Sequence, residues 1–200
     1  MAGLVGVFGG TFDPPHLGHL ILADEARISL GLSRVLWVVA GDPPHKPADP
    51  MQPVEHRLAM VEATIKGVPE FELSRADIDR PGPHYTVDTL QWLRSEGVSG
   101  PFVYLMGSDS LNDLPNWHQP DAFLKACHQL GVLVRPGAEP ELDQLALELP
   151  ALVQKTRFFK APLIEISGTD IRRRVRQGDA YRFMVLPRVA DVIQSYDLYR

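Results

Sequence analysis

Apolar positions along the chain fall into two patterns. Nearly uninterrupted apolar runs occur at Leu4–Phe8, Val35–Ala40, Phe102–Met106 and Gly131–Val134. Short runs rich in β-branched and aromatic residues are those of strands covered on both faces, as in a parallel sheet. Between them the apolar residues recur at helical spacing. Leu17, Leu20, Ile21 and Ile28 predict a helix over about 17–30, closed by Gly31. Val54, Leu58, Val61 and Ile65 predict a second, with Arg57 on its solvated face. Phe71–Asp79 alternates loosely, as an edge strand does, and Thr86 or Asp88 is placed to cap a helix after the Pro81-Gly82-Pro83 break. The acidic, leucine-rich stretch Glu139–Thr156 predicts a helix outside the sheet. Leu163 onward predicts a strand running into a helix that opens with Asp170, and Leu186, Val189, Val192, Ile193 and Tyr196 an amphipathic C-terminal helix begun at Pro187. Strand, helix, strand in this order makes a right-handed βαβ unit. The class is therefore α/β: a parallel sheet with helices on both faces and a small helical C-terminal part.

Composition narrows this picture. The chain has 200 residues and a net charge of -5, enough for one domain, with a core over about 1–160 and a C-terminal element over about 161–200. Cys127 is the single cysteine, so an intrachain disulfide framework is excluded and a reducing compartment fits. The first apolar run follows Met1–Gly3 directly, and no run is long enough to span a bilayer, so a soluble cytoplasmic protein with no membrane partner is predicted. Mild acidity argues against broad nucleic-acid binding, although Arg172, Arg173, Arg174 and Arg176 form a local basic cluster. An assembly of identical chains is left open.

The chemistry starts in VGVFGGTFDPPHLGH, residues 5–19. Gly9 and Gly10 allow a sharp turn and close approach of a ligand, and Pro14 and Pro15 stiffen the loop before the helix. A helix opening there presents free amides and a partial positive charge, which favour phosphate. His16 and His19, three apart, share one face of that helix and can both donate to phosphate oxygens, with Gly18 leaving room for a base or ribose. A metal site is the competing reading, but with Asp13 and His45 as the nearest candidates nothing at ligand spacing completes a zinc set. A second anion site is predicted at Ser167-Gly168-Thr169, with Arg172 near the helix start. Gly107 turns the chain after another buried strand. Asp109 either accepts from ribose hydroxyls or caps a helix, and Trp117, after a Pro-Asn break, is suited to stacking on a heteroaromatic ring.

GGTFDPPHLGH resembles the signature of nucleotidyltransferases that carry an HxGH motif after their first strand. Within that superfamily the chain is most similar to nicotinate mononucleotide adenylyltransferases. The resemblance spans nearly the whole chain through four ordered motifs: the opening signature, YTVDTL at 85–90, GSD with LPNW at 107–117, and ISGTDIR at 166–172. It implies a Rossmann-like fold, ATP and nicotinate mononucleotide as the two ligands, and Mg2+ carried on the ATP phosphates. It also implies ATP contacts from Gly9, Gly10, Thr11, Phe12, Gly107, Asp109, Ser167 and Thr169, and contacts to the mononucleotide from Tyr85, Thr86, Trp117 and the Arg135-Pro136-Gly137 turn. Catalytic roles fall on His16, His19, Lys46 and Arg172. Lys46, with His45 beside it, lies in a segment with five prolines among residues 41–53, where the family places a basic residue near the ATP phosphates. His84 stands where the family pattern has serine, and Gly168 replaces the second serine of ISSTxIR.

Two phosphate-binding helix starts imply a cleft where two phosphorylated molecules meet. No serine or cysteine sits in a nucleophile arrangement and GxxxxGK[ST] is absent, so kinase or ATPase chemistry of the P-loop type is excluded. In-line attack of a substrate phosphate on the α-phosphorus of ATP fits, driven by positioning and charge neutralisation. The alternatives are a nicotinamide-preferring relative, a phosphopantetheine adenylyltransferase, which lacks the YTxDT and Trp elements, and a non-catalytic nucleotide-binding protein.

Overall fold

The computed structural model describes residues 3–41, 51–134, 137 and 139–200. Among the described residues six strands form one parallel sheet: β1 (Leu4–Gly10), β2 (Leu32–Val39), β3 (Phe71–Ser74), β4 (Phe102–Gly107), β5 (Gln129–Leu133) and β6 (Thr156–Phe159), in the order β3-β2-β1-β4-β5-β6. The chain runs outward from β1 to β3, then returns to β4 on the other side of β1. That reversal creates a crevice at the carboxyl ends of β1 and β4, where open α/β sheets bind ligands.

The helices among the described residues are α1 (Leu17–Ser29), α2 (Val54–Ile65), α3 (Thr86–Ser95), α4 (Ser108–Asn112), α5 (Pro120–Ala126), α6 (Leu142–Glu148), α7 (Pro150–Lys155), α8 (Gly168–Gln177) and α9 (Pro187–Ser195). The strand runs are apolar throughout because alternate residues feed two cores. Val7, Leu36, Val38, Phe102 and Tyr104 pack with α3, α5 and α7 on one face. Phe8, Val35, Trp37, Val103 and Leu105 pack with α1 and α2 on the other. A third cluster joins Met60 of α2 to Ile171, Val189, Ile193 and Tyr199 of the C-terminal segment. The parallel sheet with helices on both faces and a helical C-terminal part is as expected.

Several local expectations are corrected. The buried side of α1 is Leu22, Ala23 and Ala26, while Ile28 is 64% exposed. Small alanines let this helix lie close to the sheet, so the seam is not the row of bulkiest residues. Residues 139–156 do not form one helix: Pro150 opens α7 separately from α6, and Thr156 begins the edge strand β6. Residues 163–166 form no strand, and α8 opens at Gly168 with Ser167 as its cap, not at Asp170. Tyr196 is exposed, its ring against His56.

Candidate active site

Gly9 and Gly10 are not in a loop: they are the last residues of β1, paired with Val38 and Val39. Their role is space. A Cβ on Gly9 would stand 3.0 Å from the Tyr104 hydroxyl, and one on Gly10 would stand 3.0 Å from the Phe12 ring. The chain turns at Phe12, whose φ of 50° lies in the left-handed region. That conformation costs on the order of 1 kcal/mol for a non-glycine residue, and burial of the ring against Phe8, Trp37 and His19 offsets it. Phe12 thus offers only its backbone to a ligand. Thr11 is exposed.

His16 caps α1 and His19 is its third residue. The His16 backbone N–H donates to His19 Nδ1 (3.1 Å), and the two rings stack with centroids 3.8 Å apart. Because Nδ1 accepts, a neutral His19 carries its proton on Nε2. The room left by Gly18 is taken by protein: its Cβ would fall 3.1 Å from the His16 ring. The α1 mouth is also less open than expected, since the Leu17 amide donates to the Met184 carbonyl and the His19 amide to the His16 carbonyl.

At the crevice, Phe8, Gly9, His19, Tyr104, Gly107, Ser110 and Trp117 enclose a cavity of about 210 Å³. Burial pushes the Tyr104 hydroxyl up to about 12, and it shares a hydrogen bond with the Thr86 side chain. This links the cavity floor to the start of α3, whose N-cap is Tyr85; neither Thr86 nor Asp88 caps it. The preceding loop is held by a buried cluster: Arg80 donates to Asp77 (3.0 Å) and to Thr89 (3.1 Å), and Thr89 donates to Asp77 (2.6 Å). Tyr85 stacks on His118, next to Trp117. Asp109 is exposed in the first turn of α4. A larger hollow of about 420 Å³, lined by Ser33, Arg34, Glu70 and Glu72, lies at the amino ends of the strands, away from these residues.

The second helix mouth meets the first at Asp13. Arg172 donates to the Asp13 carbonyl (2.8 Å) and to the Thr169 hydroxyl (3.3 Å), and a Cβ on Gly168 would lie 3.0 Å from that same carbonyl. The Asp13 carboxylate accepts from the Tyr199 hydroxyl (2.6 Å) and from the Gln52 amide (3.2 Å). Ser167, exposed, accepts from the Asp170 amide (3.1 Å). Hydrogen bonds from Arg174 and Arg173 hold the Asp170 carboxyl below its usual range, so these arginines neutralise an acid beside the mouth as well as meeting solvent.

Residues 7–174 match the model of the cytidylyltransferase-like family. The chain belongs to that family. A "probable nicotinate-nucleotide adenylyltransferase" from Thermomicrobium roseum is 46% identical over 98% of this chain and 91% of its own length. A relative of the same name from Salinibacter ruber is 40% identical over 98% of this chain and 97% of its own. Among solved structures, the Plasmodium falciparum nicotinic acid mononucleotide adenylyltransferase complexed with NaAD aligns over 98% of this chain and 97% of its own, with a TM-score of 0.78 at 17% identity. That level of identity bears on the fold alone.

In this member of the cytidylyltransferase-like family, the fold gathers Gly9, His16, His19, Gly107, Trp117, Gly168, Thr169 and Arg172 at the carboxyl edge of the sheet, with Thr86 reaching it through Tyr104. Lys46, His45 and Arg135 lie outside the described residues. Sequence reasoning missed Tyr104 and Tyr199, weighed Asp13 only as a metal ligand, and misplaced Arg57. Arg57 is buried in α2 at 2% exposure. The signal was present: position 57 falls three after Val54 and four before Val61, on the buried stripe itself. Burial lowers the Arg57 pKa, and the nearby Asp13 charge works against that shift. Among the described residues no group of three or more His, Cys, Asp or Glu side chains is arranged to hold a metal ion, and no helix is long and apolar enough to cross a membrane.

Proposed function

We propose that this protein is a nicotinate-nucleotide adenylyltransferase, transferring AMP from ATP to nicotinate mononucleotide to give deamido-NAD and pyrophosphate. The observation that carries the reading is the meeting of both helix mouths at Asp13, beside a cavity that already holds His19, Gly107 and Trp117.

A phosphate oxygen of the mononucleotide attacks the α-phosphorus in line, the bond to the bridging oxygen breaks, and pyrophosphate leaves. The protein supplies position and charge. His19, with Nδ1 engaged by the His16 amide, directs an Nε2–H donor at the reacting phosphate. His16 stacks behind it and holds the ring. Arg172, with the Ser167 and Thr169 hydroxyls and the start of α8, holds the nucleotide phosphates on the other side, and Lys46 approaches the leaving group. Gly107 and Asp109 meet the ATP ribose. Trp117 lies against the pyridine ring, while Thr86, Tyr85 and Arg135 belong to the mononucleotide side. Magnesium arrives as part of the substrate, on the triphosphate. The core and C-terminal element act as one domain, and the buried Cys127 is in keeping with the cytoplasm.

The test is a coupled assay with ATP and nicotinate mononucleotide. Pyrophosphate and deamido-NAD forming in equal amounts is the expected outcome, with nicotinamide mononucleotide turned over far more slowly. ATP binding without turnover would make this a nucleotide-binding protein. Equal rates for acid and amide would remove the specificity.

A further inference from the structure

The guanidinium of Arg57 has no carboxylate hydrogen bond among those described; its bonds run to backbone carbonyls that belong to different parts of the site. Nε donates to Gln52 O (3.1 Å), Nη1 to Thr11 O (3.0 Å) and Ala40 O (2.7 Å), and Nη2 to Gly41 O (3.3 Å). Thr11 leads out of β1 toward the histidines, Ala40 and Gly41 lead out of β2, and Gln52 leads into α2. Gln52 is also the residue whose amide donates to the Asp13 carboxylate. Gly41 is pressed so closely on the Asp77–His84 loop that a Cβ there would overlap the Asp77 carbonyl and approach the His84 ring at 2.8 Å. Thr11 beyond β1, and Ala40, Gly41 and Gln52 between β2 and α2, are therefore held together by one planar fork of N–H donors, and the Asp77–His84 loop packs against that group at Gly41. A lysine has one nitrogen and no plane, so it cannot hold such an array.

We infer that Arg57 is a positioning residue for the transfer reaction: it sets Thr11, on the way from β1 to the histidines, against Ala40, Gly41 and Gln52, and through Gly41 against the Asp77–His84 loop that leads to Thr86. The inference rests on the functional reading above. It makes Arg57 act on alignment of the two substrates rather than on the affinity of either. Tyr199, donating to Asp13 from the C-terminal segment, supports the same loop from its other side.

The experiment compares wild type, Arg57→Ala and Arg57→Lys in steady-state turnover, with ATP affinity by calorimetry and folding by circular dichroism. Wild type is assayed first, so its failure to turn over counts against the functional reading, and Arg57 is then judged on ATP affinity alone. In the Ala variant kcat is expected to fall about 10²-fold, the scale of a displaced catalytic group, with ATP affinity little changed. Added guanidinium ion should restore at least a tenth of the lost rate by refilling the site, whereas urea should not. A folded Ala variant with near-wild-type kcat would overturn the inference. So would one whose slow rate does not respond to guanidinium, or, with an inactive wild type, one whose ATP affinity is lost. If the Ala variant does not fold, the Lys variant decides: reduced kcat at unchanged ATP affinity supports the inference, and unchanged kcat overturns it.

Discussion

The mouths of α1 and α8 both open beside Asp13, yet they are built from different donors. At α1 the Leu17 amide donates to the Met184 carbonyl and the His19 amide to the His16 carbonyl, and the His19 imidazole, stacked on His16, lines the crevice. At α8 the Ser167 hydroxyl takes the Asp170 amide, and the Gly168 and Thr169 peptides stand at the mouth with the Arg172 guanidinium across them. One end works through the His19 side chain, whose tautomer is set by a backbone amide; the other works through fixed peptide dipoles and a permanent charge. A helix start is therefore a frame, and what it presents depends on which of its own groups are already satisfied.

This difference can be broken experimentally. The largest effect is expected from His19→Ala, which removes the Nε2 donor: kcat should fall by about 10²–10³-fold, as for loss of one transition-state donor, with ATP affinity and melting temperature nearly unchanged. Arg172→Ala should lower kcat/KM by about 10²-fold, but through a raised KM for ATP, because a binding charge is lost. If both substitutions changed kcat and KM in the same ratio, the two mouths would not differ in role. Gly168→Ser restores the hydroxyl of the family motif and drives a Cβ to 3.0 Å from the Asp13 carbonyl. Calorimetry should show a loss of about 1–2 kcal/mol, with a few-fold drop in turnover.

Two substitutions away from the mouths sharpen the contrast. Cys127 is buried, and burial pushes its thiol from 9.0 up to about 12. Between those values the unfolded thiol ionises while the folded one does not, so stability present below pH 9 is lost as pH rises. Cys127→Val should flatten the alkaline stability profile by about 1.4 kcal/mol per pH unit, one proton's worth, while leaving turnover at neutral pH alone. The smallest effect is expected from Ile28→Gln on the exposed side of α1, within about 0.5 kcal/mol in unfolding and neutral in activity.

How far the sequence revealed this follows from which interactions are local. The strand runs at 35–40 and 102–106 were legible because short length, β-branched and aromatic content and the glycines and prolines beside them together specify a covered parallel strand. The histidine pair and the 167–172 segment were legible because glycine, hydroxyl and charge recur there at helix-start spacing. The meeting at Asp13 was not, since Arg172 and Tyr199 reach it from far along the chain. Nor was the satisfaction of the Leu17 amide, which depends on the Met184 carbonyl. Arg57 was misread because a charge on an amphipathic helix normally faces water, and the converging carbonyls of Thr11, Ala40, Gly41 and Gln52, with the Asp13 charge nearby, make burial tolerable.

The most direct test of the shared crevice is a crystal structure with a non-hydrolysable ATP analogue and nicotinate mononucleotide bound together. The expected result places the α-phosphate within hydrogen-bond reach of His19 Nε2 and the nucleotide phosphates also against Arg172 and the start of α8. Nucleotide bound at one helix mouth only, or in the hollow at the amino edge of the sheet beside Arg34 and Glu72, would contradict it.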